Sequence, residues 1–129
     1  MKNPYQQAMT QYKSIELRTR VDAANPHELI DMLLQGARSH ISVAQGAIQR
    51  GLVKEKGEHI GKAISIIEGL RSSLNREQGG DIADNLDKIY EYTQHILLRS
   101  NLENNADLLT EATKLLSAIH DAWGHLKAS

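Results

Sequence analysis

The chain has 129 residues, of which 40% are hydrophobic and 24% charged, enough to bury one real core as a single domain. Its 15 basic and 16 acidic side chains nearly cancel, so nothing in the charge balance points to nucleic acid or to insertion into a membrane. There is no cysteine, which excludes disulfides, thiol nucleophiles and thiolate metal sites.

The first 24 residues read as a polar tail that opens on Asn3-Pro4-Tyr5. No apolar run of a signal peptide is present, and no later stretch approaches the ~18 consecutive apolar residues of a membrane span. A soluble cytoplasmic protein is expected. If the tail is helical, Tyr5, Ala8, Met9, Tyr12 and Ile15 fall on one side. Two readings follow. The commoner outcome for such a segment is a short fifth helix packed permanently on the rest. The sharper one is a removable cover over an apolar groove.

Residues 25–129 form the predicted body. Asn25, Pro26 and Glu28 make a helix start, with a cap, a first-turn proline and an Asn-x-x-Glu capping box. From there Ile30, Leu33 or Leu34, Ala37, Ile41, Ala44 and Ile48 recur at steps of three and four, until Gly51 stops the helix. A second helix fits about Lys54 to Leu74, with Ile60, Ala63, Ile64, Ile67, Leu70 and Leu74 on one face. Gly79-Gly80 breaks it, and Asp81 is a plausible cap for a third helix carrying Ile82, Leu86, Ile89, Thr93 and Ile96. Asn104-Asn105 marks the next break, before a fourth helix with Leu108, Ala112, Leu115, Ile119, Trp123 and Leu126. Short connections favour antiparallel neighbours. The expected fold is all-α: an antiparallel four-helix bundle with an N-terminal tail or short extra helix.

Catalytic vocabulary is sparse. Carboxylate-bridged bundle sites need Glu-x-x-His pairs, and none of the six histidines has an acidic residue three positions before it. Glu55 and His59 stand one turn apart, but one pair makes no metal site, and scattered surface histidines are expected. The glycines do not form a phosphate loop, and Ser65, Ser72 and Ser73 have no recognisable base. Asp81, Asp84, Asp87 and Glu91 read as a solvated charged face. The chain is therefore expected to bind, not to catalyse, and to need no cofactor. The candidate partner-binding residues are Tyr5, Met9, Tyr12 and Ile15 on the tail, and Ile66, Leu70, Tyr92 and Leu98 on the bundle. Gly36, Gly46, Gly61 and Gly69 interrupt the helices at about 1 kcal/mol each relative to alanine. Close helix approach would explain them; a deformable binding scaffold is the alternative.

These residues together resemble the flagellar secretion chaperone family FliS. The pattern begins at Asn3-Pro4-Tyr5-Gln6 and runs through Ala24-Asn25-Pro26-His27-Glu28-Leu29, Met32-Leu33 and Gly36-Ala37. It resumes at Lys62-Ala63, Ile66-Ile67 and Leu70, then at Gly79-Gly80, Asn85-Leu86, Tyr90-Glu91-Tyr92 and Ala122-Trp123. It departs from the family at Leu34 or Gln35, where a tyrosine is common, and at Thr93, where a methionine is; Ser100-Asn101 stands in for a small-residue-plus-Asn pair. The resemblance implies a cytoplasmic export chaperone that binds the C-terminal helical segment of flagellin. It would prevent premature polymerisation and assist delivery to the flagellar type III export apparatus. An export-gate protein and an anti-sigma factor are further expected partners, and the protein would be a monomer or homodimer. The alternative is a regulatory helical adaptor that sequesters another flagellar or transcription-control protein. From another class stands a bundle enzyme or metal carrier.

Overall fold

The computed structural model describes residues 26–126, and these build four helices with no strand among them. They are α1 (Pro26–Gln49), α2 (Val53–Ser72), α3 (Arg76–Glu103) and α4 (Ala106–His125). Asn25, the expected cap of α1, and the tail candidates Tyr5, Met9, Tyr12 and Ile15 lie outside the described residues.

Each connection is short because local chemistry stops one helix and starts the next. Gly51 takes φ +70°, and the Leu52 amide reaches back 2.9 Å to the Ala47 carbonyl, closing α1 in a left-handed C-terminal turn. At the far side of the bundle Asn104 adopts φ 54°, and the amides of Asn104 and Asn105 both donate to the Ser100 carbonyl. The Ser100 hydroxyl donates 2.7 Å to the Asn105 carbonyl, and the Asn105 side chain caps α4 by accepting from the Asp107 amide at 2.9 Å. The expected break at Asn104-Asn105 is therefore a turn in which both asparagines have a stated job.

The start of α3 corrects the sequence reading. Its cap is Asn75, whose side chain accepts from the Gln78 amide at 3.1 Å, and Asp81 is not the cap. The expected break at Gly79-Gly80 is present: Gly80 leaves helical geometry at φ 50°, ψ −124°, so α3 is two helical segments joined across a kink, a short one from Arg76 and a long one after Gly80. A side chain is strained there, so Gly80→Ala should lower stability by about 2 kcal/mol in urea unfolding. Gly79 is confined in another way: a Cβ on it would sit 2.8 Å from the Ala83 Cβ.

Cross-helix hydrogen bonds define the topology. On α1 and α4, Gln45 meets Thr110, Arg38 meets His120 and His27 meets Trp123, so one sequence number falls as the other rises. The same antiparallel order joins α2 to α3, through Lys56 with Asn101, Ile64 with Gln94 and Arg71 with Asp87. With α1 also packed on α2 and α3 on α4, the four helices run up-down-up-down around one core. At ~1.5 Å per residue, the part of α3 after the kink, residues 81–103, extends about 35 Å.

The core is built from Leu34, Ala37, Ile41 and Ala44 on α1 and Ile60, Ala63, Ile67 and Leu70 on α2. From α3 come Tyr90, Ile96 and Leu97, and from α4 Leu109, Ala112 and Leu116. The α1 and α2 stripes follow the sequence reading. On α3 the buried set is Ala83, Tyr90, Thr93, Ile96, Leu97 and Ser100, and Ile82 is 72% exposed. On α4 the deepest row is Leu109–Ala112–Leu116, with Leu108, Leu115, Ile119 and Trp123 packed at its edge. None of the four mid-helix glycines is forced by space. A Cβ on Gly36 would make an ordinary 3.5 Å contact with Ile66, one on Gly46 would meet only the flexible Arg50 side chain, and Gly61 and Gly69 have nothing within 4 Å.

Tyr90 is 3% exposed, and burial pushes its phenol from an ordinary 10.0 up to about 12. The fold thus favours the protonated phenol. The associated stability is complete below pH 10 and is lost as pH rises from there towards 12. Tyr90→Phe should therefore blunt the fall in melting temperature between pH 10 and 12, measured against the parent chain.

Candidate functional site

The sequence-named residues separate into three groups. Leu70 is 1% exposed and belongs to the core, so it presents nothing to a partner in this conformation. Ile66 is half-buried against the core, with its tip next to Gly36 of α1. Tyr92 and Leu98 are different: they stand 47% and 51% exposed on α3. The structure therefore brings two of the four bundle candidates onto one helix and leaves the other two on α2.

Two further α3 residues join them. Leu102, one turn beyond Leu98, is 76% exposed, and Ile82 lies open at the kinked end. The i, i+4 spacing of Leu98 and Leu102 was the available signal for Leu102. Four large apolar side chains thus punctuate α3 between residues 82 and 102, over about 30 Å. Val53 and Leu52, in the turn before α2, are also exposed; they lie at the same end of the bundle as Leu102. Single exposed apolar residues are ordinary, but Leu98 and Leu102, one turn apart, share a face and have the form of a docking surface, while Tyr92 and Ile82 face other sides of the helix.

Polar contacts hold α3 in place on both flanks. Arg71 of α2 donates to Asp87 at 2.8 Å and to Gln94 at 3.0 Å, and Gln94 in turn donates to the Ile64 carbonyl at 3.2 Å. Asp87 is well shielded, with a side chain only 16% exposed, so it does not belong to the solvated face expected of it. On the other flank the Tyr92 hydroxyl donates 2.7 Å to the Glu111 carboxylate of α4. That hydrogen bond is the main reason the Tyr92 phenol lies above its ordinary value, with desolvation adding to it. Tyr92 keeps its ring at the α3–α4 surface while its polar tip is satisfied.

The histidines also differ from expectation. Four of the six link helices. His27 stacks on Trp123 with ring centroids 4.8 Å apart. Its Nε2 donates 2.9 Å to the Trp123 carbonyl, and the Trp123 indole donates 2.9 Å to the His27 carbonyl. His120 lies between Arg38 at 2.9 Å and Asp31 at 2.8 Å, in a shallow depression also lined by Asp121, Gly124 and His125. His40 and His59 meet nitrogen to nitrogen at 2.9 Å. An Asp–His pair invites comparison with a proton relay, yet the third member is a guanidinium. Arg38 can only donate, so it fills the imidazole lone pair that a nucleophile would need. Among the described residues, no three His, Asp or Glu groups converge to hold a metal ion. No described helix is long and apolar enough to cross a membrane.

Fold and surface together define a helical bundle whose accessible features are apolar contacts and helix-joining hydrogen bonds, the makings of a protein-binding module. The chain matches the family model described as flagellar protein FliS over residues 8–129. It is 44% identical over 116 residues to the flagellar secretion chaperone FliSB of Pseudomonas aeruginosa, covering 90% of this chain and 92% of that protein. It is 42% identical over 113 residues to the flagellar secretion chaperone FliS of Salmonella typhimurium, covering 87% and 84%. The FliS of Vibrio cholerae is 36% identical over 115 residues, covering 89% and 85%. The chain belongs to the FliS family of flagellar secretion chaperones.

Proposed function

We propose that this protein is a cytoplasmic export chaperone that binds the C-terminal helical segment of flagellin. It prevents that segment from polymerising early and assists its delivery to the flagellar type III export apparatus. The observation that carries the reading is the exposed apolar pair Leu98 and Leu102, one turn apart on the outer face of α3, with Tyr92 on the α4 flank, in a chain of this family. An unassembled amphipathic segment exposes apolar faces, and an exposed apolar face on a helix suits a partner helix laid against it. Binding alone supplies the protection, so no catalysis and no cofactor enter. Release then follows from a competing site, because the binding free energy has to be surrendered on handover. An export-gate protein fits that role, and an anti-sigma factor is a second partner to be tested.

The tail, residues 1–24, completes the proposal. It joins the bundle at α1, whose first turn is at the same end as the exposed Ile82. Its stripe of Tyr5, Met9, Tyr12 and Ile15 would cover part of the partner surface in the free protein, leaving when the partner arrives.

Calorimetry with a flagellin C-terminal peptide tests both parts. The parent chain should bind it, and Leu98→Asp with Leu102→Asp should weaken binding at least about tenfold, the effect of some 1.4 kcal/mol. Deletion of residues before Ser14 should change the affinity. No binding by the parent chain, together with co-purification of a transcription-control protein from native cells, would replace this reading with a regulatory adaptor.

A further inference from the structure

We propose that imidazole lone pairs latch α1 to both of its neighbours, so that protonation of these histidines loosens the middle of α1 before the rest of the bundle. The inference goes beyond the chaperone reading and does not depend on it. On the α2 side, Nδ1 of His40 and Nδ1 of His59 are 2.9 Å apart, and the ring centroids 5.1 Å. The second distance is the first plus about two ring radii, so the nitrogens meet head-on. One must carry a hydrogen and the other a lone pair. The pair survives one extra proton, since an imidazolium can still donate to a neutral ring. It does not survive two, when N–H points at N–H.

On the α4 side the tautomer is fixed by a stronger constraint. Arg38 always donates, so Nδ1 of His120 must accept, and Nε2 carries the hydrogen donated to Asp31. A proton added to Nδ1 expels Arg38 while the Asp31 contact remains. Asp31 and Arg38 of α1 face this ring, and Asp121 and His125 of α4 line the same depression. Around the histidine pair, α2 presents Glu55 one turn before His59 and Lys62 three residues after it, and the Lys56 ammonium is turned to α3. On α1 the positions one turn from His40 are Gly36 and Ala44, without charge.

The third linkage behaves differently, and this gives the proposal its signature. His27 donates from Nε2, a role open to the neutral and the protonated ring alike, and Trp123 donates back to the backbone. The first turn of α1 therefore stays clamped, and loosening centres on residues 36–44, where Arg38 and His40 sit.

Hydrogen exchange resolved along the full chain, corrected for the intrinsic pH dependence, tests this between pH 8 and about 5, where imidazoles gain protons. Residues 36–44 should gain about tenfold more exchange than α3 does, the effect expected from losing one or two hydrogen bonds. In His40→Asn with His120→Asn the extra gain should vanish. The amide at residue 40 can donate to or accept from His59, and the oxygen at residue 120 accepts from Arg38, at any of these pH values. An equal gain along all four helices, or an unchanged gain in the double variant, overturns the latch. If the variant does not fold, ring nitrogen-15 shifts of the parent chain at pH 8 decide. The latch requires His120 to carry hydrogen on Nε2 and one of His40 and His59 to carry it on Nδ1. Any other pattern overturns it.

Discussion

Leu97→Ala should cost about 2–5 kcal/mol, while Ile82→Ala on the same helix should change stability by less than about 0.5 kcal/mol. Leu97 is fully buried where α3 meets the core, so truncation removes transfer free energy and leaves a cavity that packed neighbours fill only in part. Ile82 is 72% exposed, so alanine there removes few contacts and places a better helix former in the first turn after the kink. Urea unfolding measures both, with an unchanged slope showing that only stability has moved. The contrast is informative because hydropathy ranks the two residues alike. A cost at Ile82 approaching that at Leu97 would mean that Ile82 is covered in the free protein.

The same contrast shows where the sequence was legible. The α1 and α2 stripes were readable because Leu34, Ala37, Ile41, Ile60 and Ile67 are apolar residues at helical spacing, flanked by packed helices. On α3 Thr93 and Ile96 were legible, but the buried row also includes Ala83, Tyr90 and Ser100, which a search for large aliphatic side chains passes over in favour of Ile82 and Ile89. The break at Gly79-Gly80 was legible, but the Asn-x-x-Gln capping pattern of Asn75-Arg76-Glu77-Gln78, which starts a short helical turn before it, was passed over. On the candidate surface, Tyr92 and Leu98 were legible as apolar residues off the buried stripe. Arg71 with Asp87, and the histidine links 19, 82, 89 and 96 residues apart in sequence, were not. Their partners are chosen by helix register, which spacing along one helix cannot supply. The comparisons identify the family that the ordered motifs resembled, and the residue-level contacts come only from the fold.

Lys56→Ala should lower stability by about 3 kcal/mol, a large effect for a charged residue. Lys56 is 6% exposed, and its ammonium donates 3.1 Å to the Asn101 carbonyl and 3.1 Å to the Asn104 side chain. Asn101 belongs to the last turn of α3, where carbonyls lack partners within the helix and the helix dipole is negative. A lysine from α2 therefore caps α3 from outside, at the Asn104 turn that reverses the chain into α4. Alanine removes two charge-assisted hydrogen bonds at about 1.5 kcal/mol each, along with the buried stem. Lys56→Met separates the two contributions, since it keeps most of the stem and loses only the ammonium, so its cost should lie between alanine and the parent chain. Equal losses for methionine and alanine would assign the effect to the ammonium; a negligible loss for methionine would assign it to packing. The prediction extends to the partner surface. Leu98 and Leu102 flank Asn101 on the turn that Lys56 holds, so Lys56→Ala should speed amide exchange at residues 101–105 and, under the proposed function, weaken binding of a flagellin peptide although Lys56 lies outside the proposed contact face.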